Sequence, residues 1–435
     1  MFAPLLAILF VSPTAVLRAQ APTADVRPLE LSLADAVATA LENDLSLKIE
    51  QVSSEISRYT FNSSWGAFDP LLRASASFED SKQEINQPYI PVPSIDSKST
   101  VFSTGVNYPL TTGGAFDLSF MQSASDTTFA NINPSFSDTL ALSFTQPLLR
   151  GAGSDYRTSL QRENELRMHK QDERVRQARQ DLNQRVADAY WDLVASLEQL
   201  AVADETLTLG REQLDQNRRR LNAGVGTEVE VLQADTNVAQ RIEQRLLREV
   251  AVKNAADKLK GLMYPGTDAA KWELELAPST ALPECDASQI PGWGEALVTA
   301  LAQRTELKQQ LLEIDAVEQQ LVRASSERSA ALDFVLSTRS GSLEGSEGQA
   351  FVSATSWDFP THAASLSFSM PIGNRSALWA EKSARAAIRA ARLVYDQLES
   401  QIVEEVRSAV RANQYSVEAV RAAQASSELA RRQLA

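Results

Sequence analysis

Between residues 155 and 222 the chain holds no proline and a single glycine, Gly210. A helix over that stretch runs to about 100 Å, several times the span of an ordinary globular helix. Val186, Leu193, Leu200, Leu207, Leu214 and Leu221 recur every seven residues along it. Ala189, Ser196, Ala203 and Gly210 stand three residues after the first four. Large side chains at one seam position and small ones at the other let two helices approach closely, as in a coiled coil. The rest of the surface is Gln, Arg, Glu and Asp. Periodicity alone fits both an intrachain stalk and a helical tube built from several chains.

The run NAGVGT at 222–227 ends this helix. Gly224 and Gly226 suit the positive φ that a reversal needs. Thr227 then reads as the cap of a second helix, with Glu230 at the reciprocal capping position. Arg218, Arg219 and Arg220 precede the break, where positive charge suits a helix C-terminus. The spacing predicts an antiparallel return helix over 228–263, ended by Tyr264-Pro265-Gly266.

The chain repeats itself. AVATALENDLSLK at 36–48 matches ALVTALAQRTELK at 296–308, and ALSFTQPL at 141–148 matches SLSFSMPI at 365–372. REQL at 211–214 matches RRQL at 431–434. Matches in one order with shrinking offsets indicate a duplication with insertions in the first copy. Each copy opens with a helical stretch, 33–66 and 293–328. The first of these starts at a cap-like Ser32-Leu33-Ala34-Asp35. Period-two segments follow: Ala74, Ala76 and Phe78 alternate with Arg73, Ser75 and Ser77. Leu140, Leu142 and Phe144 alternate with Ala141, Ser143 and Thr145; Leu366, Phe368 and Met370 alternate with Ser367 and Ser369. Such alternation predicts strands with one apolar and one polar face. Pro147 and Pro371 close these strands, and a very long helix follows in each copy, 155–222 and 375–435. The Pro-rich stretch 265–291 reads as a connector.

Residues 2–17 are nearly all apolar and end in Ala19-Gln20-Ala21, a secretory signal cleaved after Ala21. No later run is long and apolar enough for a membrane helix, so an exported chain either stays in water or crosses a membrane by strands. A net charge of −14 argues against nucleic acid as a partner. One cysteine, Cys285, and two histidines, His169 and His362, are too few for a structural zinc site. Nucleotide-binding glycine loops are absent from the sequence. No cofactor, metal or catalytic residue is expected. Asp188 and Asp192 lie four apart on one helix, but general acid–base chemistry also needs a pocket. His169 reads as an exposed helix residue and His362 as a loop residue before a strand. Tyr190 and Trp191 read as helix packing.

The order of these features resembles the TolC family of outer-membrane efflux proteins. The stretches that carry the likeness are LNAGVGTEVEVLQA at 221–234, SFTQPLLRG at 143–151 and SLSFSMPIGNR at 365–375. The resemblance implies a mainly α fold with β: long helical hairpins forming a periplasmic barrel, and strands contributing to a trimeric outer-membrane β-barrel. It implies an exit duct for a tripartite efflux pump or a type I secretion system. It also implies a homotrimer, a periplasmic adaptor, an inner-membrane pump or ABC transporter, and outer-membrane lipid as partners. Gly224, Val225, Gly226 and Thr227 fall on the hairpin tip that meets the adaptor in the family. Glu230 falls where the family often carries an acidic gate residue, and capping alone would also explain it.

The first copy departs from the family's usual four strands per chain. Phe116, Leu118 and Phe120 alternate after a turn at Thr112-Gly113-Gly114, within an extra stretch at 99–123. That hairpin either extends outward or joins the barrel wall. A second tip is expected about ten residues beyond 431–434, past Ala435, so the second copy reads as truncated. The domain plan is a signal at 1–21, copies at 22–264 and 292–435, and the connector at 265–291. An exported, non-conducting coiled-coil scaffold, or an inactive relic of a channel, explains the heptads without a pore; fractionation separates these readings.

Overall fold

The computed structural model describes residues 29–84, 94–128, 131–282 and 290–434. The signal segment and Cys285 lie outside these. The chain divides into two units, one from residues up to 45 with 182–282, the other from 46–181 with 283 onward. Each unit is built from two separate stretches of the sequence.

In the first unit, strand β1 (Leu29–Leu31) leads into helix α1 (Leu33–Asn43), capped by Ser32. Helix α2 (Leu45–Ser64) belongs to the second unit and ends in a 3-10 turn at Trp65–Phe68. Strands β2 (Leu71–Glu84), β3 (Ser94–Pro109), β4 (Ala115–Thr127) and β5 (Ser135–Pro147) follow. A short helix α3 (Ser154–Arg157) precedes α4 (Ser159–Asn222), which is continuous over 64 residues. Helix α5 (Glu228–Met263) returns beside α4. Where a plain connector was expected at 265–291, the described part holds a short helix α6 (Ala269–Trp272) and a strand β6 (Leu276–Pro278) that pairs in parallel with β1.

The remaining elements are α7 (Trp293–Gln303), α8 (Thr305–Arg328), β7 (Ala331–Gly341), α9 (Glu347–Ser356), β8 (Pro360–Ser369) and α10 (Arg375–Leu434).

The expected single helices at 33–66 and 293–328 are each broken after eleven residues. The breaks fall at equivalent places in the two copies. Asp44 takes φ −56° and ψ 127°, and Arg304 takes φ −60° and ψ 123°. An extended ψ at one residue redirects the chain without a turn, so the helical pattern resumes at once.

Tyr190 anchors the first unit. Fully buried, its hydroxyl donates to Leu31 O at 3.0 Å and accepts from Thr280 N at 3.0 Å. Ala36, Ala40, Leu182, Val186, Leu259 and Met263 are buried in the same unit. In the second unit Leu307, Ile402, Val406 and Val410 form a core where α7 and α8 pack on α10.

The heptad seam of α4 is real. Val186, Leu193, Leu207 and Leu214 are buried, and Leu207 and Leu214 meet Ala234 and Val238 of α5. Gly210 is buried because a side chain there would meet Arg241 Cδ at 2.9 Å. Along the hairpin, Arg245 pairs with Asp204 at 2.6 Å and Lys258 with Asp192 at 2.9 Å. These exposed pairs set register more than stability.

Candidate functional site

Six strands form one antiparallel meander in the order β2-β3-β4-β5-β7-β8. The extra hairpin of the first copy, now β3–β4, is therefore hydrogen-bonded into this sheet. Its turn is tied down where α3 begins: Gly153 N donates to Thr112 O at 3.0 Å. Gly113 has φ +96°, and a side chain there would meet Gly151 O at 2.5 Å.

The register sorts side chains onto two faces, one mostly apolar although it also carries Gln122, Asp138, Thr338, Ser340 and His362. One row crosses all six strands as Leu72, Val106, Leu118, Leu142, Thr338 and His362. The next row on the same face is Tyr108, Phe116, Phe144, Leu336 and Ala364. Phe116 and Phe144 stack at 4.7 Å between ring centroids. Phe78, Leu142, Leu366 and Phe368 on this face are exposed. Away from the helices the face gives way to charge, with Lys82–Asp96 at 3.2 Å and Lys98–Asp80 at 3.7 Å. The opposite face carries Arg73, Ser75, Ser77, Ser103, Asp117, Ser143, Ser337, Ser367 and Ser369. There Arg73 pairs with Asp117 at 3.3 Å, and Ser75 bonds Ser103 at 2.7 Å. An apolar face backed by a wet one is the alternation expected of strands set between lipid and water.

Two expectations in this region need correction, and one element was not foreseen. His362 lies within β8, paired with Thr338 at 2.8 Å, rather than in a loop. Proline is tolerated as the first residue of an edge strand, and Pro360 takes that place. β8 ends at Ser369, so Met370 falls just outside it. The helix α9, between β7 and β8, had no sequence signal. Phe351 of α9 packs edge-on against Phe120, on the apolar face.

At the start of each long helix sits a buried glutamate. Glu163 of α4 accepts from Arg167 at 2.8 Å, from Gln320 at 2.9 Å and from Arg323. Burial pushes its pKa up, but hydrogen bonds from Gln320, Arg323 and Arg167 outweigh that and hold it below the usual carboxylate value. Glu381 of α10 accepts from Arg385 at 2.7 Å and from Arg328 at 2.9 Å. The hydrogen bonds from Arg328 and Arg385 lower its pKa. Sequence reasoning passed over both. The available signal was a Glu followed by Arg four residues on, present in both copies.

The α4–α5 turn reverses where expected, but of its two glycines only Gly224 takes a positive φ; Gly226 does not, and is there for want of room. Gly224 has φ +73°, Gly224 N donates to Leu221 O at 3.0 Å, and Val225 N donates to Arg220 O at 3.0 Å. That bond pair is a Schellman motif with glycine in its left-handed position. A side chain on Gly226 would meet Leu221 N at 2.9 Å. Thr227 and Glu230 form a complete capping box, with both bonds at 3.3 Å. Val225, Val229 and Leu232 stand 70 %, 62 % and 68 % exposed, an apolar cluster at the turn. His169, Asp188 and Asp192 are exposed on α4. Among the described residues no group of His, Cys, Asp and Glu could hold a metal ion.

A six-stranded antiparallel meander and a long capped helical hairpin define the class of fold. Residues 115–263, from the start of β4 to the end of α5, match the family model of the outer membrane efflux protein. That match spans about a third of the chain, and the fold around it is shared with solved outer-membrane channels. The outer-membrane channel OprN is 17 % identical with a TM-score of 0.64, over 92 % of this chain and 79 % of that one. CusC, described by its transmembrane channel formation, is 14 % identical with a TM-score of 0.64, over 94 % and 81 %. The CmeC outer membrane channel of Campylobacter jejuni is 17 % identical with a TM-score of 0.65, over 92 % and 74 %. No curated protein matches the chain.

Proposed function

We propose that the chain forms a passive exit duct through the outer membrane of a diderm bacterium, with its long helices in the periplasm. The observation that carries this reading is the six-stranded sheet: one face apolar, the other wet, both edges unpaired. A free strand edge is not tolerated in hydrocarbon, so the sheet closes only with strands from further copies. Three copies make the homotrimer that the resemblance implies.

In this reading residues 1–21 are the export signal, and copies 22–264 and 292–435 flank the connector 265–291. Gly224, Val225, Gly226 and Thr227 present the turn to a periplasmic adaptor, with Val225, Val229 and Leu232 as the apolar contact. Glu230 fixes the turn through its capping box and is the candidate gate residue. An inner-membrane pump or ABC transporter supplies the energy, in a tripartite efflux pump or a type I secretion system. Passage through the duct makes and breaks no covalent bond, so it needs no catalytic residue. The OprN and CmeC descriptions, both as outer-membrane channels, support the same reading.

Fractionation tests it. A duct sediments with outer membranes and leaves them only in detergent. Release of the folded chain by osmotic shock alone would identify a periplasmic scaffold instead.

A further inference from the structure

Resting on the reading of the chain as a duct assembled from like copies, we infer that each copy places all six strands in the wall. The β8 edge of one copy pairs with the β2 edge of the next. A three-fold ring then closes at eighteen strands, about half again as wide as the twelve-stranded wall that four strands per copy would give.

Three observations carry this. First, β3 and β4 are paired along nearly their whole lengths, from Leu71 with Asn107 to Glu84 with Ser94 on one side. On the other, pairs run from Ala115 with Thr145 to Ser125 with Ser135. A hairpin projecting from the wall would leave β2 and β5 to pair with each other; here they do not. Second, the inserted strands continue the apolar band at the same height. Val106 and Leu118 lie between Leu72 and Leu142 in one register row, and Tyr108 and Phe116 lie beside Phe144 in the next. An ornament outside the membrane has no reason to carry that band. Third, the edges fit each other. Every residue of β2 and β8 is exposed. The chain runs away from the helices along β2 and back toward them along β8. Joining β8 to a neighbour's β2 therefore continues the antiparallel alternation, and an even strand count per copy lets a ring close without a parallel seam.

The β3–β4 turn explains how the insertion keeps its height. A side chain on Gly114 would press on Thr145 O at 3.1 Å and Phe144 Cε2 at 3.2 Å, beside the flexible end of Gln146. Together with Gly113 against Gly151, this seats the turn on the exit from β5. The hairpin is thereby locked at the helical end of the wall, and its length carries it across the band.

The test is to count strands by electron cryo-microscopy of the full chain purified into lipid nanodiscs. The expected result is eighteen strands with seams between β8 and a neighbouring β2. A twelve-stranded wall with β3–β4 folded clear of it, or a seam at any other strand, overturns the inference while leaving the duct reading intact. A particle with no membrane-embedded wall removes both. A second measurement uses a deletion of residues 94–127, which lets β2 pair directly with β5. The wall then closes at twelve strands. The diameter of polymer admitted from the extracellular side, read by polymer exclusion of single-channel current, falls to about two-thirds. An unchanged cut-off contradicts the inference.

Discussion

The two copies within this chain are alike at their junctions and unlike in their walls. Both open with an eleven-residue helix broken at Asp44 or Arg304. Both send a strand into a long helix, and both bury a glutamate held by an arginine four residues on and by another from α8. Yet the first copy has four strands where the second has two and the helix α9. A strand pair can be added to an antiparallel meander without changing chain direction or swapping faces, because hairpins enter and leave at the same end. A residue added at a helix-to-strand junction would instead rotate everything after it. The two halves differ where geometry permits.

The comparison can be broken most severely on the apolar face. Leu142→Lys in the first copy and Leu366→Lys in the second each put a charge where lipid is expected, at about 2–4 kcal/mol near mid-membrane. Both substitutions should sharply reduce folded protein in the outer membrane, measured by heat-modified gel mobility. Ser143→Lys and Ser367→Lys, one residue away on the wet face, should be recovered at near-normal levels. Equal losses for neighbouring positions would erase the two-faced wall in that copy.

Next in size is the pair of buried glutamates. Glu163→Gln leaves Arg323 and Arg167 short of an ionic partner and should cost about 1.5–3 kcal/mol, read as a lowered unfolding midpoint in urea. Glu381→Gln should act in the same direction. Both carboxyls have folded pKa values below their ordinary value of 4.5. Their stabilisation is therefore present in full above the unfolded value and is lost as pH falls through the lower folded one. Wild-type protein should thus lose stability below about pH 4.5 more steeply than either variant. Parallel pH profiles for wild type and variants would contradict the paired-carboxylate account.

The tip should respond more mildly, because it is open to solvent. Gly224→Ala forces a Cβ into left-handed backbone, at about 1 kcal/mol. Gly226→Ala incurs no left-handed cost but presses on the Leu221 N and Arg220 backbone, and should cost at least as much as Gly224→Ala. Thr227→Ala removes one half of the capping box at about 1 kcal/mol. Local hydrogen exchange at 219–231 measures all three. Faster exchange confined to that stretch is expected. No change on Gly226→Ala would mean the turn is not held as described.

The sequence made some of this legible. The α4 seam could be read because Val186 through Leu214 repeat every seven residues while the other positions are polar. The tip could be read because glycine at a reversal and the Thr–Glu pair each have one dominant structural use. The faces of β5 and β8 followed from strict alternation. What stayed hidden had no local signature. The breaks at Asp44 and Arg304 carry no proline or glycine, and only the backbone angle at one position shows them. The distal part of β2 and the start of β3 are Ser, Asp, Lys and Glu on both faces, so no period marks them as strand; they are held by the ladder itself. Pro360 hid the start of β8, because proline reads as a break unless the strand is known to lie at an edge. Helix α9 is ten residues with glycine, serine and threonine among them, too short and mixed to show a stripe.

The central claim is that copies of this chain close a water-filled passage across a bilayer. Recording current across a planar lipid bilayer after adding the purified full-chain oligomer tests it most directly. The account predicts discrete, long-lived conductance steps that change when Arg73 or Asp117 on the wet face is neutralised. A stable membrane-inserted oligomer that carries no current, even with the tip loosened by Gly226→Ala, would contradict it.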